Sequence, residues 1–212
     1  MAAWELVLQA LWLFLPAYIA NMCPVFAAKL VPRWTARIDG GRLGRDGQPL
    51  LGPGKTWRGL AGGAVGGALT ALAMAYGAGG LFARHDFGLG GYAGGPLDAP
   101  REGAPASSVL GVLLFGALVG FMALVGDAVK SYFKRRRGKP RGTPWVPFDQ
   151  LDFVVFGLLG AWMGSPLLAD GWVREAFFGH WMTLTTLLVL TPGLHLLVNI
   201  IGYRLKLKDV PW

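Results

Sequence analysis

Residues 126–153 read GDAVKSYFKRRRGKPRGTPWVPFDQLDF and lie between two strongly apolar segments. They hold three of the 12 acidic residues of the chain, Asp127, Asp149 and Asp152. Seven basic residues accompany them: Lys130, Lys134, Arg135, Arg136, Arg137, Lys139 and Arg141. Carboxylates at the ends of two apolar segments, with a cationic loop between them, point to a divalent metal and a phosphate-rich ligand. The flanking runs decide what kind of fold holds that stretch.

Those runs are membrane spans. The 212-residue chain is 53% hydrophobic and only 15% charged, too apolar for an ordinary soluble domain. Uncharged stretches cover 23 residues between Glu5 and Lys29, 25 between Arg58 and Arg84, and 24 between Glu102 and Asp127. Two more cover 17 residues from Phe153 to Ala169 and 28 from Ala176 to Tyr203. A helix crosses the hydrocarbon core with roughly 17–25 residues. Continuous apolar runs exclude the alternating pattern of a membrane barrel. The expectation is an all-α integral membrane protein, a single membrane domain over 1–212. Its five transmembrane helices are placed at about 6–28, 59–83, 106–129, 150–169 and 178–203, with cytoplasmic loops at 29–58 and 130–149.

Orientation follows from the basic residues. Segments 27–58, 130–148 and 204–212 hold seventeen Lys and Arg, against three in 84–107 and 170–175. The N-terminus is therefore expected outside and the C-terminus in the cytoplasm of a multi-pass plasma-membrane protein. Glu5 is the only early charge, so the first span lacks the basic start of a cleaved signal. One cysteine, Cys23, excludes an intrachain disulfide and a thiolate metal cluster. The basic residues flank spans and follow no nucleic-acid motif, so no nucleic-acid partner is expected. The oligomeric state is not readable.

The first span carries Pro16 and Pro24 with Asn21 between them. A kink around Asn21–Pro24 and an ordinary helix end are both compatible with this. In the loop 29–58, Gly54-Lys55-Thr56 lacks the first glycine of a Walker motif, because Pro49 stands there. A simpler anion site remains, with Gly52 and Gly54 admitting a phosphate and Lys55, Thr56 and Arg58 donating to it. The alternative is a positive flank with a threonine cap. Glycines at 59, 63 and 67, at 116 and 120, and at 160 and 164 give small-residue faces for close helix packing. Residues 84–107 read as an outside loop without chemistry.

Asp127, Lys130, Ser131 and Lys134 follow i, i+3, i+4, i+7 and share one helix face. A carboxylate at the apolar boundary is costly and marks function. Asp149 and Asp152 open the next helix. One of them suits a cap, while the pair at i, i+3 also suits a shared hard cation such as Mg2+, completed by Asp127. His180 and His195 have no partners in the sequence that make a ligand set, and read as interfacial or packing residues. No Ser-His-Asp or Cys-His arrangement supports covalent hydrolysis.

The pattern Gly126-Asp127, Lys130-Ser131, Lys134-Arg135-Arg136, Arg141-Gly142, Pro144-Trp145, Pro147 and Asp149-Gln150-Leu151-Asp152-Phe153 resembles the CDP-archaeol synthase family. Leu15-Pro16, Asn21, Pro24 and Gly54-Lys55-Thr56-Trp57-Arg58-Gly59 match it as well, so the resemblance covers nearly the whole chain. It is more distantly similar to phosphatidate cytidylyltransferases, but Gln150 stands where their arginine is expected. The resemblance implies transfer of CMP from CTP to 2,3-bis-O-(geranylgeranyl)-sn-glycerol 1-phosphate, with Mg2+ as cofactor. CTP, an isoprenoid ether lipid phosphate and membrane lipids are the implied partners. It further implies Asp127, Asp149 and Asp152 as metal ligands, with Lys130 catalytic alongside them. Gly54, Lys55, Thr56, Arg58, Lys130, Ser131, Lys134 and Arg135 are the implied contacts to the CTP phosphates. A diacyl substrate and transport of a phosphorylated lipid are the alternative functions.

Overall fold

The computed structural model describes residues 3–76, 108–140, 143–168 and 172–206. They form seven α-helices: α1 (Ala3–Leu13), α2 (Leu15–Leu30), α3 (Trp57–Tyr76), α4 (Val109–Arg136), α5 (Phe148–Gly164), α6 (Trp172–Phe178) and α7 (Trp181–Arg204). A 3-10 turn, Ser165–Leu167, follows α5. No strand is present among the described residues, in keeping with the all-helical expectation.

Several boundaries differ from expectation. The first apolar run is broken at Phe14, where α1 and α2 meet at 41°. Pro24 lies inside α2, which runs on to Leu30, so the helix does not end at Asn21–Pro24. Phe14 takes the sparsely allowed bridge conformation (φ −88°, ψ 0°). Pro16 falls in the first turn of α2, where a missing N–H costs nothing. The break delivers a fully buried ring that contacts Tyr18, Phe153 and Phe177 at centroid distances of 5.3, 6.3 and 6.1 Å. Helix α4 runs on to Arg136, about two turns past the expected end at 129, so the start of the 130–149 segment is helical. The last run is covered by α7 nearly as expected at 178–203, and the short α6 precedes it. Residues 77–107, including the expected end of the second span and the outside loop, lie outside the described residues.

Bare glycines set the helix spacing. A Cβ at Gly67 would meet the carbonyl oxygen of Gly116 at 2.2 Å, and one at Gly120 would meet that of Gly63 at 2.4 Å. The main chains of α3 and α4 therefore touch along the small-residue faces seen in the sequence. Gly160 serves α5 in the same way, against Leu118 and Met122 of α4. Helix α7 turns Thr183, Thr186, Thr191 and Asn199 inward and leaves Val189, Leu197 and Ile201 exposed. An apolar exterior around a polar interior is the arrangement suited to lipid. By length and composition α4 and α7 can each cross a membrane, and the bent α1–α2 pair makes a third if it is one span. The 20 residues of α3 and the 17 of α5 are not in that set.

Candidate active site

The C-terminal turns of α4 bring its polar stripe above the apolar packing. The helix stops at a Schellman motif: Gly138 takes φ +66°, its N–H donates to Arg135 O at 2.9 Å, and Lys139 N–H donates to Lys134 O at 3.1 Å. Arg135 also donates to the carbonyl of Lys139. The chain then returns to start α5 beside the end of α4. Gly126 makes this approach possible, because a Cβ there would lie 2.5 Å from the Asp152 carbonyl oxygen.

The three aspartates converge on one ammonium. Lys130 Nζ lies 2.9 Å from Asp127 Oδ1, 2.8 Å from Asp152 Oδ2 and 3.3 Å from Asp149 Oδ1. Lys134 Nζ donates to both Asp149 oxygens, at 3.1 and 3.0 Å. Lys55, from the loop 29–58, donates to Asp127 Oδ2. Three carboxylates and three ammoniums thus compensate one another in a largely buried cluster, in which the Asp152 side chain is only 6% exposed. Removing any one member leaves opposite charge uncompensated in a poorly solvated place.

Capping does not account for Asp149 and Asp152. The N-cap position of α5 is Pro147, with no side-chain cap bond. Asp149 Oδ2 instead accepts the Trp145 N–H at 2.6 Å, which closes the loop back onto the cluster. The donor chemistry suits a hard divalent cation, and Asp152 Oδ2 is buried without a hydrogen bond of proper geometry. Among the described residues, however, no three acidic, His or Cys side chains form a ready metal-ligand group. The Lys130 ammonium stands where the carboxylates meet.

The other residues expected at the site have more local contacts. Thr56 Oγ1 accepts the Gly59 N–H at 3.3 Å, which makes it the N-cap of α3. Arg58 Nη1 donates to the carbonyls of Val31 and Pro32, both at 3.0 Å, and so closes the end of α2. Ser131 is buried in α4. Gly54 is exposed in the turn before Lys55. Arg141 and Gly142 of the sequence pattern lie outside the described residues.

Two residues that sequence reading left without a role hold the loop. Asp39 Oδ1 accepts the Gly41 N–H at 2.9 Å, and its Oδ2 accepts those of Leu51 and Gly52 at 2.9 and 3.3 Å. Partial burial opposes its ionisation, but the three N–H donors and the Arg37 charge outweigh that and hold its carboxyl below the usual range. Arg136 pairs with Asp46 and donates to the carbonyls of Gln48 and Pro49 at 3.0 and 2.7 Å. The signal for Asp39 was present as Asp39-Gly40-Gly41, an aspartate opening a two-glycine turn.

A family model described as CarS-like, CDP-archaeol synthase, matches residues 104–212. A CDP-archaeol synthase of Halobacterium salinarum is 41% identical over 207 residues, covering 97% of each chain. The chain belongs to the CDP-archaeol synthase family. Its relative in Methanocorpusculum labreanum is 39% identical, over 93% of this chain and 99% of the other. That in Thermococcus kodakarensis is 34% identical, over 97% and 96%. A cytidylyltransferase family model matches residues 35–139, which take in the Lys55 loop, Asp127, Lys130 and Lys134. A solved structure described as an intramembrane enzyme for archaeal membrane lipids biosynthesis superposes with a TM-score of 0.55 at 28% identity, over 92% of this chain and 94% of that one. The match to a membrane enzyme agrees with the apolar exteriors of α4 and α7.

Proposed function

We propose that this family member is a membrane-embedded CTP-dependent nucleotidyltransferase working at the Asp127–Asp149–Asp152 cluster. It transfers CMP from CTP to 2,3-bis-O-(geranylgeranyl)-sn-glycerol 1-phosphate and gives CDP-archaeol and pyrophosphate. The activity rests on the family membership and the cytidylyltransferase match. The assignment of the site rests on one observation, the convergence of three carboxylates from two helices on Lys130.

The lipid phosphate is already a nucleophile, so no activated serine or general base is needed. A lipid phosphate oxygen attacks the α-phosphorus of CTP; the bond from that phosphorus to the bridging oxygen breaks, and pyrophosphate leaves. Such a reaction needs charge neutralisation and in-line placement. Asp127, Asp149 and Asp152 would hold Mg2+, which supplies that neutralisation when bound. Lys130 exchanges a carboxylate partner for a phosphate oxygen and keeps a cation at the reacting centre throughout. Lys55, Lys134, Arg135 and the Ser131 hydroxyl complete the surface for the triphosphate. Gly54 leaves room for it, while Thr56 and Arg58 fix the helix ends that present Lys55.

The cluster is read as lying at the cytoplasmic face of the plasma membrane, with five spans and the N-terminus outside. The distribution of Lys and Arg supports that orientation. Helix α3 supports the count, since its 20 residues extend roughly 30 Å. Detergent-purified protein given Mg2+, the ether lipid phosphate and each nucleotide in turn tests the reading. Pyrophosphate release with CTP alone, dependent on lipid and metal, is the expected result. No release with either the ether or a diacyl phosphate would overturn it.

A further inference from the structure

The loop that carries Lys55 is bonded to a side chain outside the cluster, Asp39. Lys55 sits in a loop without helix or strand, and a long flexible side chain there has no reason to find Asp127 unless its main chain is fixed. Residues 36–39 fix it from both sides. Ile38 N–H donates to Lys55 O at 3.0 Å, and Trp57 N–H donates to Ala36 O at 3.0 Å. On the N-terminal side, Asp39 Oδ2 takes the N–H groups of Leu51 and Gly52, and Gly52 O in turn accepts the Lys55 N–H at 3.2 Å. Gly52 adopts φ +94°, a conformation open to glycine and poorly tolerated by other residues. Its N–H and that of Leu51 both point at Asp39 Oδ2.

We infer that Asp39 is a positioning residue for the reaction, acting on the nucleotide through Lys55. This rests on the reading that places Lys55 at the CTP phosphates. The carboxylate is suited to the task because both of its oxygens are used, Oδ1 on Gly41 and Oδ2 on Leu51 and Gly52. An amide at this position loses one acceptor oxygen and cannot serve both sides. The loop would then sample positions in which Lys55 no longer meets Asp127, and the cost would fall on CTP binding more than on the chemical step.

The test is a double-mutant cycle on lipid-dependent turnover with Asp39→Asn, Lys55→Ala and the two combined. Asp39→Asn is expected to raise the KM for CTP about tenfold with kcat within about threefold of wild type. In the Lys55→Ala background it should add nothing further, because its effect runs through the missing ammonium. Additive losses, or an unchanged KM in Asp39→Asn beside an impaired Lys55→Ala, would overturn the inference and leave the site reading standing. An unchanged KM in Lys55→Ala would overturn both, through the site reading. If Asp39→Asn does not fold, hydrogen exchange on the wild-type protein decides. The Leu51 and Gly52 amides should then be among the slowest between residues 31 and 56, and rapid exchange there overturns the inference.

Discussion

Gly126 lays its bare Cα against the main chain of Asp152, where a Cβ would come within 2.5 Å of the carbonyl oxygen. One residue on from that glycine is Asp127, so this approach of α4 and α5 also sets the separation of two carboxylates. Gly126→Ala should destabilise the protein by about 1–3 kcal/mol, since backbone, not a movable side-chain tip, stands in the way. Turnover should fall with it. Gly193→Ala is the matched control in α7, with nothing within 4 Å of its added methyl group. There the change should be neutral or stabilising by up to about 1 kcal/mol. Thermal melts in detergent compare the two, and equal melting temperatures would contradict the packing argument.

Lys130 contacts three carboxylates at once. Lys130→Ala leaves Asp127, Asp149 and Asp152 facing one another with only Lys55 and Lys134 in contact. Breaking a buried ionic set from one side costs about 3–5 kcal/mol. The variant should melt well below wild type and show no turnover. An unchanged melt would mean that the cluster is far better solvated than its burial indicates.

Arg136 fastens the turn at residues 42–50 to the end of α4 through Asp46, Gln48 and Pro49. Arg136→Ala should release that turn and leave the helices packed. Trypsin should then cut after Arg42 or Arg45 several times faster than in wild type, because cleavage tracks local opening. The same cleavage rate in both proteins would show that the turn is held by something else.

The charge on Asp39 supplies a pH dependence of known sign. Its carboxyl is held below the usual range when folded, so it contributes stability that is present above its unfolded value of about 3.9. That contribution is lost as pH falls through the lower folded value. The melting-temperature gap between wild type and Asp39→Asn should stay constant from about pH 5 to 8 and narrow below about pH 4. A gap that widens on acidification would contradict this assignment.

The grouping of the candidate site residues was largely legible in the sequence because its spacing is helical. Asp127, Lys130 and Lys134 sit on one face of α4 whatever the rest of the chain does, and the Asp149–Asp152 pair opens the next apolar run. The glycine faces were legible for the same reason. Lys130's place at the meeting point of the carboxylates was not, since it depends on how two helices cross. Asp39 was hidden because its partners lie two, twelve and thirteen residues away in an irregular loop. The break at Phe14 was not legible because it lies within an uninterrupted apolar run. Pro24 is accommodated within α2, while Pro16 needs only the first turn of a new helix.

Pyrophosphate release by wild type, Asp149→Asn and Asp152→Asn, with Mg2+, CTP and the ether lipid phosphate, tests the carboxylate cluster most directly. Both variants should still unfold cooperatively, at a melting temperature below that of wild type, and lose at least about 100-fold in turnover, the scale of removing one electrostatic element from a reacting centre. Folded variants that release pyrophosphate within about threefold of wild type would place the chemistry elsewhere.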